Sequence, residues 1–278
     1  MITIIGLGVI GGSYALALKE AGLTDVYGVD TDPASIMQAR AAEAIAEGST
    51  SPEKYLPDSD LVILAIYPKA VLPFLQKYAH LMKPGSVLTD ATGIKTVIID
   101  QILPLLPEGV DYIPGHPMAG REKKGFAFAS ADVFKGANYL ITPLPGNLPS
   151  NIDLIEQLAL RMGFRRVKRI SAQLHDEMIA YTSQLPHAMA VALVNSDIDG
   201  RDTGKFIGNS YRDLTRIARI NAPLWTELFF ENAAQLLPAI DRYMEEMQLI
   251  RDAIADRNAE KLTAAFEKST ARREALDD

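Results

Sequence analysis

The chain contains no cysteine and only four histidines among its 278 residues. Without cysteine it can form no disulfide, no thiolate metal site and no cysteine nucleophile, and a reducing cytoplasm is the expected compartment. We also expect no bound metal. Basic residues are outnumbered by acidic ones, because the chain has 28 Lys and Arg and 35 Asp and Glu. A general nucleic-acid binder needs a basic surface, so we expect no nucleic-acid partner.

Long hydrophobic runs are absent as well. Glycines interrupt the apolar start of the chain, and no basic segment precedes it. This pattern fits neither a membrane span nor a targeting segment. With 48% hydrophobic and 23% charged residues, the composition fits a soluble globular chain with core enough for one large or two medium domains, and we expect two.

The stretch MITIIGLGVIGGS at residues 1–13 predicts a strand, a glycine turn and a helix. In such a turn Gly6 permits the tight bend, Gly8 lets the backbone approach a pyrophosphate, and Gly11 lets the helix pack on the strand. Ile10, inside the turn, is expected to contact the same cofactor.

A second strand at 26–29 ends in Asp30, at the distance where an acidic side chain binds ribose hydroxyls. Neither Thr31 nor Asp32 is basic, and a 2′-phosphate would meet repulsion there. The sequence therefore favours NAD over NADP.

Residues 1–170 alternate between short β-branched runs and amphipathic helical patterns. The runs lie at 61–66, 86–90, 112–114, 139–142 and 165–170, and the helical patterns at 69–82, 96–106 and 151–162. This alternation predicts a Rossmann-type α/β domain with a mostly parallel sheet. Ligands of such sheets bind beyond the strand carboxyl ends, where the turn at 6–11, Asp30, Tyr67, the loop at 90–95 and the loop at 115–120 should meet.

Residues 171–278 read as an all-helical second domain. Helical patterns cover 173–198, 210–220, 224–254 and 259–276, with Pro186 and Pro238 as expected kinks. The apolar face within 225–250 fits a dimer interface and a monomer core equally well.

Two of the histidines are candidates for chemistry. His116 lies in a rigid loop at 113–120 that follows a strand, where an imidazole with a pKa near neutrality suits proton transfer. His187 follows Pro186 within a helical pattern. His80 reads as solvated, and His175, beside Asp176 at a helix start, reads as a capping or surface residue.

Cations near these histidines indicate an anionic substrate. Arg121, Lys123 and Lys124 follow the His116 loop, and Arg212 lies in the helical half. Arginine binds a carboxylate in a bidentate fork.

Five motifs occur in order across the chain: GLGVIGGS at 6–13, TDATGIK at 89–95, GHPMAG at 115–120, SQLPH at 183–187 and YRDLTRIA at 211–218. Together they resemble the prephenate/arogenate dehydrogenase family of tyrosine biosynthesis. The resemblance implies NAD-dependent oxidative decarboxylation of prephenate to 4-hydroxyphenylpyruvate, in a homodimer formed by the helical domain. The alternative within the family is arogenate, or both substrates.

The resemblance also assigns roles to residues. His116 matches the histidine that accepts the proton of the substrate's ring hydroxyl, and Arg212 matches the arginine that binds a substrate carboxylate. His187, Glu122 and Lys123 match residues that line the substrate pocket. The expected cofactor site also includes Tyr67 and Lys95.

Two positions depart from the family pattern. Many members carry serine where this chain has Gly93, and the neighbouring Thr92 is then the candidate to replace its catalytic hydroxyl. Some members carry histidine where this chain has Gln184, which we expect to bind substrate instead.

Two other functions compete with this one. A β-hydroxyacid dehydrogenase would use a lysine of the helical domain, and Lys205 is the candidate, although its surroundings lack the Lys-x-x-Asn spacing of that family. An NAD-binding regulator would keep the fold without turnover.

Overall fold

A six-stranded parallel sheet organises the first part of the chain, in a computed structural model that describes residues 1–120 and 123–276. The strands follow the spatial order β3-β2-β1-β4-β5-β6. They are β1 (Ile2–Ile5), β2 (Val26–Val29), β3 (Glu47–Ser49), β4 (Leu61–Leu64), β5 (Val87–Asp90) and β6 (Asp111–Tyr112). The predicted α/β fold class is confirmed.

β1 lies in the interior of the sheet, and its residues Ile4 and Ile5 are buried in the apolar clusters on its two faces. Its register pairs Ile2 with Val26 of β2 on one side and with Leu61 of β4 on the other. The chain leaves β1 towards β2 and later returns on the opposite side at β4, so the strand order reverses beside β1. Ligand crevices of open parallel sheets form at such a point.

Helices cover both faces of this sheet. They are α1 (Val9–Glu20), α2 (Pro33–Ala41), α3 (Pro68–Tyr78), α4 (Thr96–Ile102) and α5 (Pro149–Arg161). One apolar cluster includes Tyr14 of α1 and Ile155 of α5, and the other includes Leu75 of α3 and Ile98 of α4. A parallel sheet requires this two-sided cover.

The last three strands form a separate sheet, which the sequence pattern does not predict. They are β7 (Gly115–Pro117), β8 (Asn138–Ile141) and β9 (Arg166–Arg169), with β7 antiparallel to β8 and β8 parallel to β9. Pro114 lacks an amide donor and separates β7 from β6, so the chain leaves the large sheet there. The alternation of apolar residues identifies a strand but not the sheet it joins.

The helical half differs from prediction in two places. The helix expected at 173–198 is divided into α6 (Ala172–Ile179), a π-helical turn (Ala180–Gln184) and α7 (Leu185–Asn195). The helix expected at 224–254 is divided at Asn232 into α9 (Ala222–Glu231) and α10 (Ala233–Ala255). At this break the buried Asn232 side-chain amide donates to the Asp176 carbonyl and to Gln184 Oε1.

The remaining helices are α8 (Asn209–Thr215) and α11 (Ala259–Glu274). The chain forms two compact units, Met1–Asn232 and Ala233–Asp278, and α10 packs against α11 within the second. The predicted division into domains after residue 170 stays a prediction. Across residues 1–120 and 123–276, no helix has the length and apolarity needed to cross a membrane.

A buried ion pair fixes the loop that follows β5. Lys95 Nζ lies 2.8 Å from Asp90 Oδ2, and both side chains are fully buried. The same ammonium donates to the Thr92 and Ile94 carbonyls, at 2.8 and 3.2 Å. The loop at 90–95 therefore closes around its own lysine.

We predict that Lys95→Met lowers the free energy of unfolding by about 3–5 kcal/mol, because it leaves the Asp90 carboxylate buried without its counterion. Urea denaturation measures this loss. The control is Lys83→Met, which removes the ion pair of Lys83 with the exposed Asp60 and should leave the urea midpoint nearly unchanged. Equal midpoints for both variants would contradict the structural importance of the Lys95 pair.

Candidate active site

A cavity of about 490 Å³ lies at the carboxyl edge of the parallel sheet, beside the reversal of strand order. Its walls come from the glycine turn, from the loops after β4 and β5, from β7 and the residues after it, and from the helical segment at 179–228. A space of this size suits a small ligand together with part of a cofactor.

The glycine turn forms one end of the cavity. Gly6 has a φ of +91°, and a Cβ at Gly11 would overlap the Gly6 carbonyl oxygen. Gly8 lines the cavity and has no heavy atom within 4 Å of an added Cβ. No side chain caps α1, so the N–H groups of its first turn face this opening, an arrangement that fits a pyrophosphate.

Asp30 adjoins the turn from the end of β2. Its carboxylate accepts the Leu7 N–H at 2.6 Å and the Asp32 N–H at 2.8 Å, so it holds the turn itself. Asp30 is not among the described residues that line the cavity, and its contact with ribose stays a prediction. Asp32 caps α2 by accepting from Ala34 and Ser35.

Tyr67 lines the cavity where α3 begins. Its hydroxyl accepts a hydrogen bond of 3.0 Å from the Asn221 side chain. The residue thus joins the loop after β4 to the segment that precedes α9.

The loop after β5 bears on two expectations. Thr92 lines the cavity, and its hydroxyl donates to Asp90 Oδ2 and to the Ile94 carbonyl, so its catalytic role stays a prediction. Lys95 is fully buried on Asp90 and lies away from the cavity, so it holds the loop rather than contacting a cofactor directly. The sequence could not show either orientation, because both depend on the buried Asp90.

His116 lies on β7 and lines the cavity. A Cβ added to Gly93 would come within 3.8 Å of its Nε2, so this nitrogen faces the gap that the glycine leaves. On the other side of the ring, Nδ1 lies 2.9 Å from His175 Nε2. His175 Nδ1 in turn lies 2.8 Å from Asp176 Oδ1.

Burial lowers the pKa of His116 well below its ordinary 6.5, and the nearby His175 and Lys95 add to this effect. Burial also lowers the pKa of His175, against the opposing effect of Asp176. Burial raises the pKa of Asp176, but hydrogen bonds from His175 and Thr96 outweigh it and keep this pKa below its ordinary value. At neutral pH His116 is therefore neutral and able to accept a proton.

His175 and Asp176 are the residues that the sequence interpretation missed. His175 is fully buried, not a surface or capping residue. The signal was present in the spacing, since His175 and Ile179 are four residues apart and therefore share one face of α6. Ile179 is also buried.

The helical wall contains His187 and Gln184. His187 Nδ1 lies 2.8 Å from the Ser183 carbonyl oxygen, and its ring stacks on Trp225 with centroids 3.7 Å apart. Gln184 is buried, with Nε2 donating to the Leu228 carbonyl and Oε1 accepting from Asn232. Its amide thus holds the wall together, and its contact with substrate stays a prediction.

Of the basic residues predicted to bind an anionic substrate, some line the cavity and others do not. Lys123 and Lys124 line the cavity, with Lys123 Nζ 4.5 Å from the centre of the Phe128 ring. Arg212 is exposed on α8 and is not among the described residues of the cavity wall. The expected meeting of Arg212 with His116 is therefore not formed at this cavity within one chain. Glu122 lies outside the described residues.

The part of the chain that the structure describes contains no group of three or more side chains suited to holding a metal ion. The chemistry of the cavity wall is that of imidazoles, ammonium groups and an open helix N-terminus.

Comparisons with known proteins agree with this arrangement. Residues 14–168 match the family model described as prephenate dehydrogenase, nucleotide-binding domain. Residues 171–268 match the model described as prephenate dehydrogenase, dimerization domain.

Relatives match along nearly the whole chain. The cyclohexadienyl dehydrogenase of Zymomonas mobilis is 30% identical over 99% of this chain and 95% of its own length. The prephenate dehydrogenase of Bacillus subtilis is 27% identical over 99% of this chain and 76% of its own. Prephenate dehydrogenase from Aquifex aeolicus, solved in complex with hydroxyphenyl propionate and NAD+, superposes with a TM-score of 0.90 at 27% identity, covering 99% of this chain and 97% of that one.

These matches confirm the predicted family, the dehydrogenase class and the nucleotide cofactor, and they support the homodimer. The chain belongs to the prephenate dehydrogenase family.

Proposed function

We propose that this chain catalyses the NAD-dependent oxidative decarboxylation of prephenate to 4-hydroxyphenylpyruvate. The observation that carries the proposal is the position of His116 Nε2, which faces the same cavity as the glycine turn. A proton acceptor and a dinucleotide-binding turn thus line the same cavity. Oxidation of a carbinol requires both, because a proton leaves the hydroxyl and a hydride leaves the carbon that bears it.

NAD is the proposed cofactor. The glycine turn and the open N-terminus of α1 suit its pyrophosphate, and the carboxylate of Asp30 beside the turn suits ribose hydroxyls better than a 2′-phosphate. The Aquifex aeolicus relative, solved with NAD+, supports this choice. When bound, NAD+ would accept a hydride.

His116 is the proposed general base. Its neutral imidazole accepts, at Nε2, the proton of the ring hydroxyl as a hydride leaves the carbon that bears this hydroxyl. The resulting ring ketone loses, as carbon dioxide, the carboxylate on the ring carbon opposite it. The electron pair of the broken bond moves through the ring to the ketone oxygen, which completes the aromatic ring as a phenolate, and this oxygen takes up a proton to give the phenol of the product. Because aromatisation makes the reaction irreversible, the cavity wall has only to orient the reactants and take the proton.

Cations of the cavity bind the substrate carboxylates in this proposal. Lys123 and Lys124 are on the wall, whereas Arg212 is exposed on α8 and its contact with a substrate carboxylate stays a prediction. His187, stacked on Trp225, forms the opposite wall.

A cyclohexadienyl dehydrogenase that also accepts arogenate is the second candidate. The Zymomonas mobilis relative carries that name and covers 99% of this chain, which favours it. Prephenate and arogenate differ only in a keto or an amino group on the side chain.

The decisive experiment is a kinetic assay of the purified chain with prephenate and arogenate, each with NAD+ and NADP+. We predict the highest kcat/KM for prephenate with NAD+, because the acidic side chain beside the turn disfavours a 2′-phosphate. Comparable turnover of arogenate would favour the second candidate. Dinucleotide binding without turnover of either substrate would contradict both and favour the regulator.

We predict that His116→Asn lowers kcat by about 10²–10⁴-fold, because one placed base typically contributes this much. The Kd for NAD+, measured by calorimetry, should not change, since the glycine turn is intact. The matched control is His80→Asn, a change at an exposed histidine, which should leave kcat unaltered. Near-normal turnover in the His116 variant would remove the proposed base.

The pH dependence follows from the lowered pKa of His116. A base acts in its neutral form, so kcat/KM should be flat above pH 6.5 and should fall only in more acidic solution. Initial rates between about pH 5 and 8 measure this dependence of kcat/KM on pH. A loss of kcat/KM that begins at or above pH 6.5 in the wild type would contradict a neutral imidazole with a lowered pKa as the base.

A further inference from the structure

We propose that His175 and Asp176 are positioning residues that fix the tautomer of His116, so that the lone pair of its Nε2 faces the cavity. This inference deepens the proposed function and rests on it. It assigns a role to two buried residues that do not line the cavity.

Asp176 determines which atoms donate and which accept in the hydrogen bonds that lead to His116. Its Oδ1 accepts the Lys95 N–H and its Oδ2 accepts the Thr96 N–H, each at 2.8 Å. Both donors are backbone amides at the start of α4, where the helix dipole favours negative charge. Asp176 is therefore an ionised acceptor on both oxygens.

Because Asp176 can only accept, it determines which ring nitrogen carries the proton in both imidazoles. His175 must donate from Nδ1 to Asp176 Oδ1, which leaves a lone pair on His175 Nε2. That lone pair accepts the Nδ1–H of His116 across 2.9 Å. His116 then carries no proton on Nε2, the form that a general base requires.

The surroundings hold this arrangement in place. His175 is fully buried and Asp176 is 4% exposed. Asn232 donates to the Asp176 carbonyl at 2.9 Å, which connects α6 to the end of α9. The two imidazole rings lie 5.1 Å apart between their centroids, with 55° between their planes.

The opposite tautomer would be inactive. With a proton on Nε2, His116 would donate to the substrate hydroxyl and could not accept from it. Position 93 carries no side chain to select the correct form, and the Thr92 hydroxyl is committed to Asp90. In the reaction, the charge that forms on His116 is stabilised through His175 by the Asp176 carboxylate.

The test compares His175→Phe with His175→Gln in the full-length chain. Phenylalanine fills the site but cannot accept a hydrogen bond, whereas the glutamine amide oxygen can accept the Nδ1–H of His116. We expect kcat to fall by at least about 10²-fold in His175→Phe and to be largely restored in His175→Gln, with the Kd for NAD+ unchanged in both.

Nitrogen-15 NMR of histidine-labelled protein supplies a second readout that needs no substrate. The His116 signal, assigned by its loss in His116→Asn, should be that of an Nδ1-protonated imidazole in the wild type and in His175→Gln. The phenylalanine variant should lose this signature. If it fails to fold, the wild type and His175→Gln still decide the question.

Three results separate this inference from the function it rests on. An Nε2-protonated His116 in the wild type would overturn the inference whatever the activity. Unchanged kcat in a folded His175→Phe, in a chain that oxidises prephenate, would overturn it also. The expected tautomer in a chain that oxidises neither prephenate nor arogenate would leave the positioning role of His175 supported and contradict the proposed function.

Discussion

The site depends on the hydrogen bonds and the ion pair that the buried Asp90 carboxylate accepts. At the end of β5 it accepts from the amide and hydroxyl of Thr92, from the ammonium of Lys95, from the Tyr112 hydroxyl at 2.7 Å, and from the Gly115 N–H at 3.3 Å. These donors belong to the loop after β5, to β6 and to the start of β7. One charge thus joins the edge of the large sheet to the strand that carries His116.

A second group of hydrogen bonds connects the same strand to the helical wall. Asp176 caps α4 and holds His175, and His175 meets His116. Gln184 and Asn232 extend the network to the π-helical turn and to the end of α9. His116 is consequently held from both sides, while its Nε2 faces the cavity. A buried network with satisfied partners gives the rigidity that proton transfer requires.

Features set by local chemistry could be predicted from the sequence. The glycine turn, the acidic residue after β2 and the rigid loop of His116 depend on neighbours in the chain. Features set by distant partners could not. The contact of His175 with His116 joins residues 59 positions apart, and the Asn232 side chain bonds to Asp176 and Gln184, which lie 56 and 48 positions away. The resemblance of motifs placed Arg212 in the site, but spacing in sequence cannot say whether an exposed helix such as α8 reaches a cavity.

The most direct test of His116 as the base is a crystal structure of the chain with NAD+ and 4-hydroxyphenylpropionate, a phenol that mimics the ring of the substrate. The account predicts the phenol oxygen at hydrogen-bonding distance from His116 Nε2, about 3 Å, and the nicotinamide ring on the glycine-turn side of the same cavity. A phenol group bound away from His116, with the ring reversed in the cavity, would contradict it.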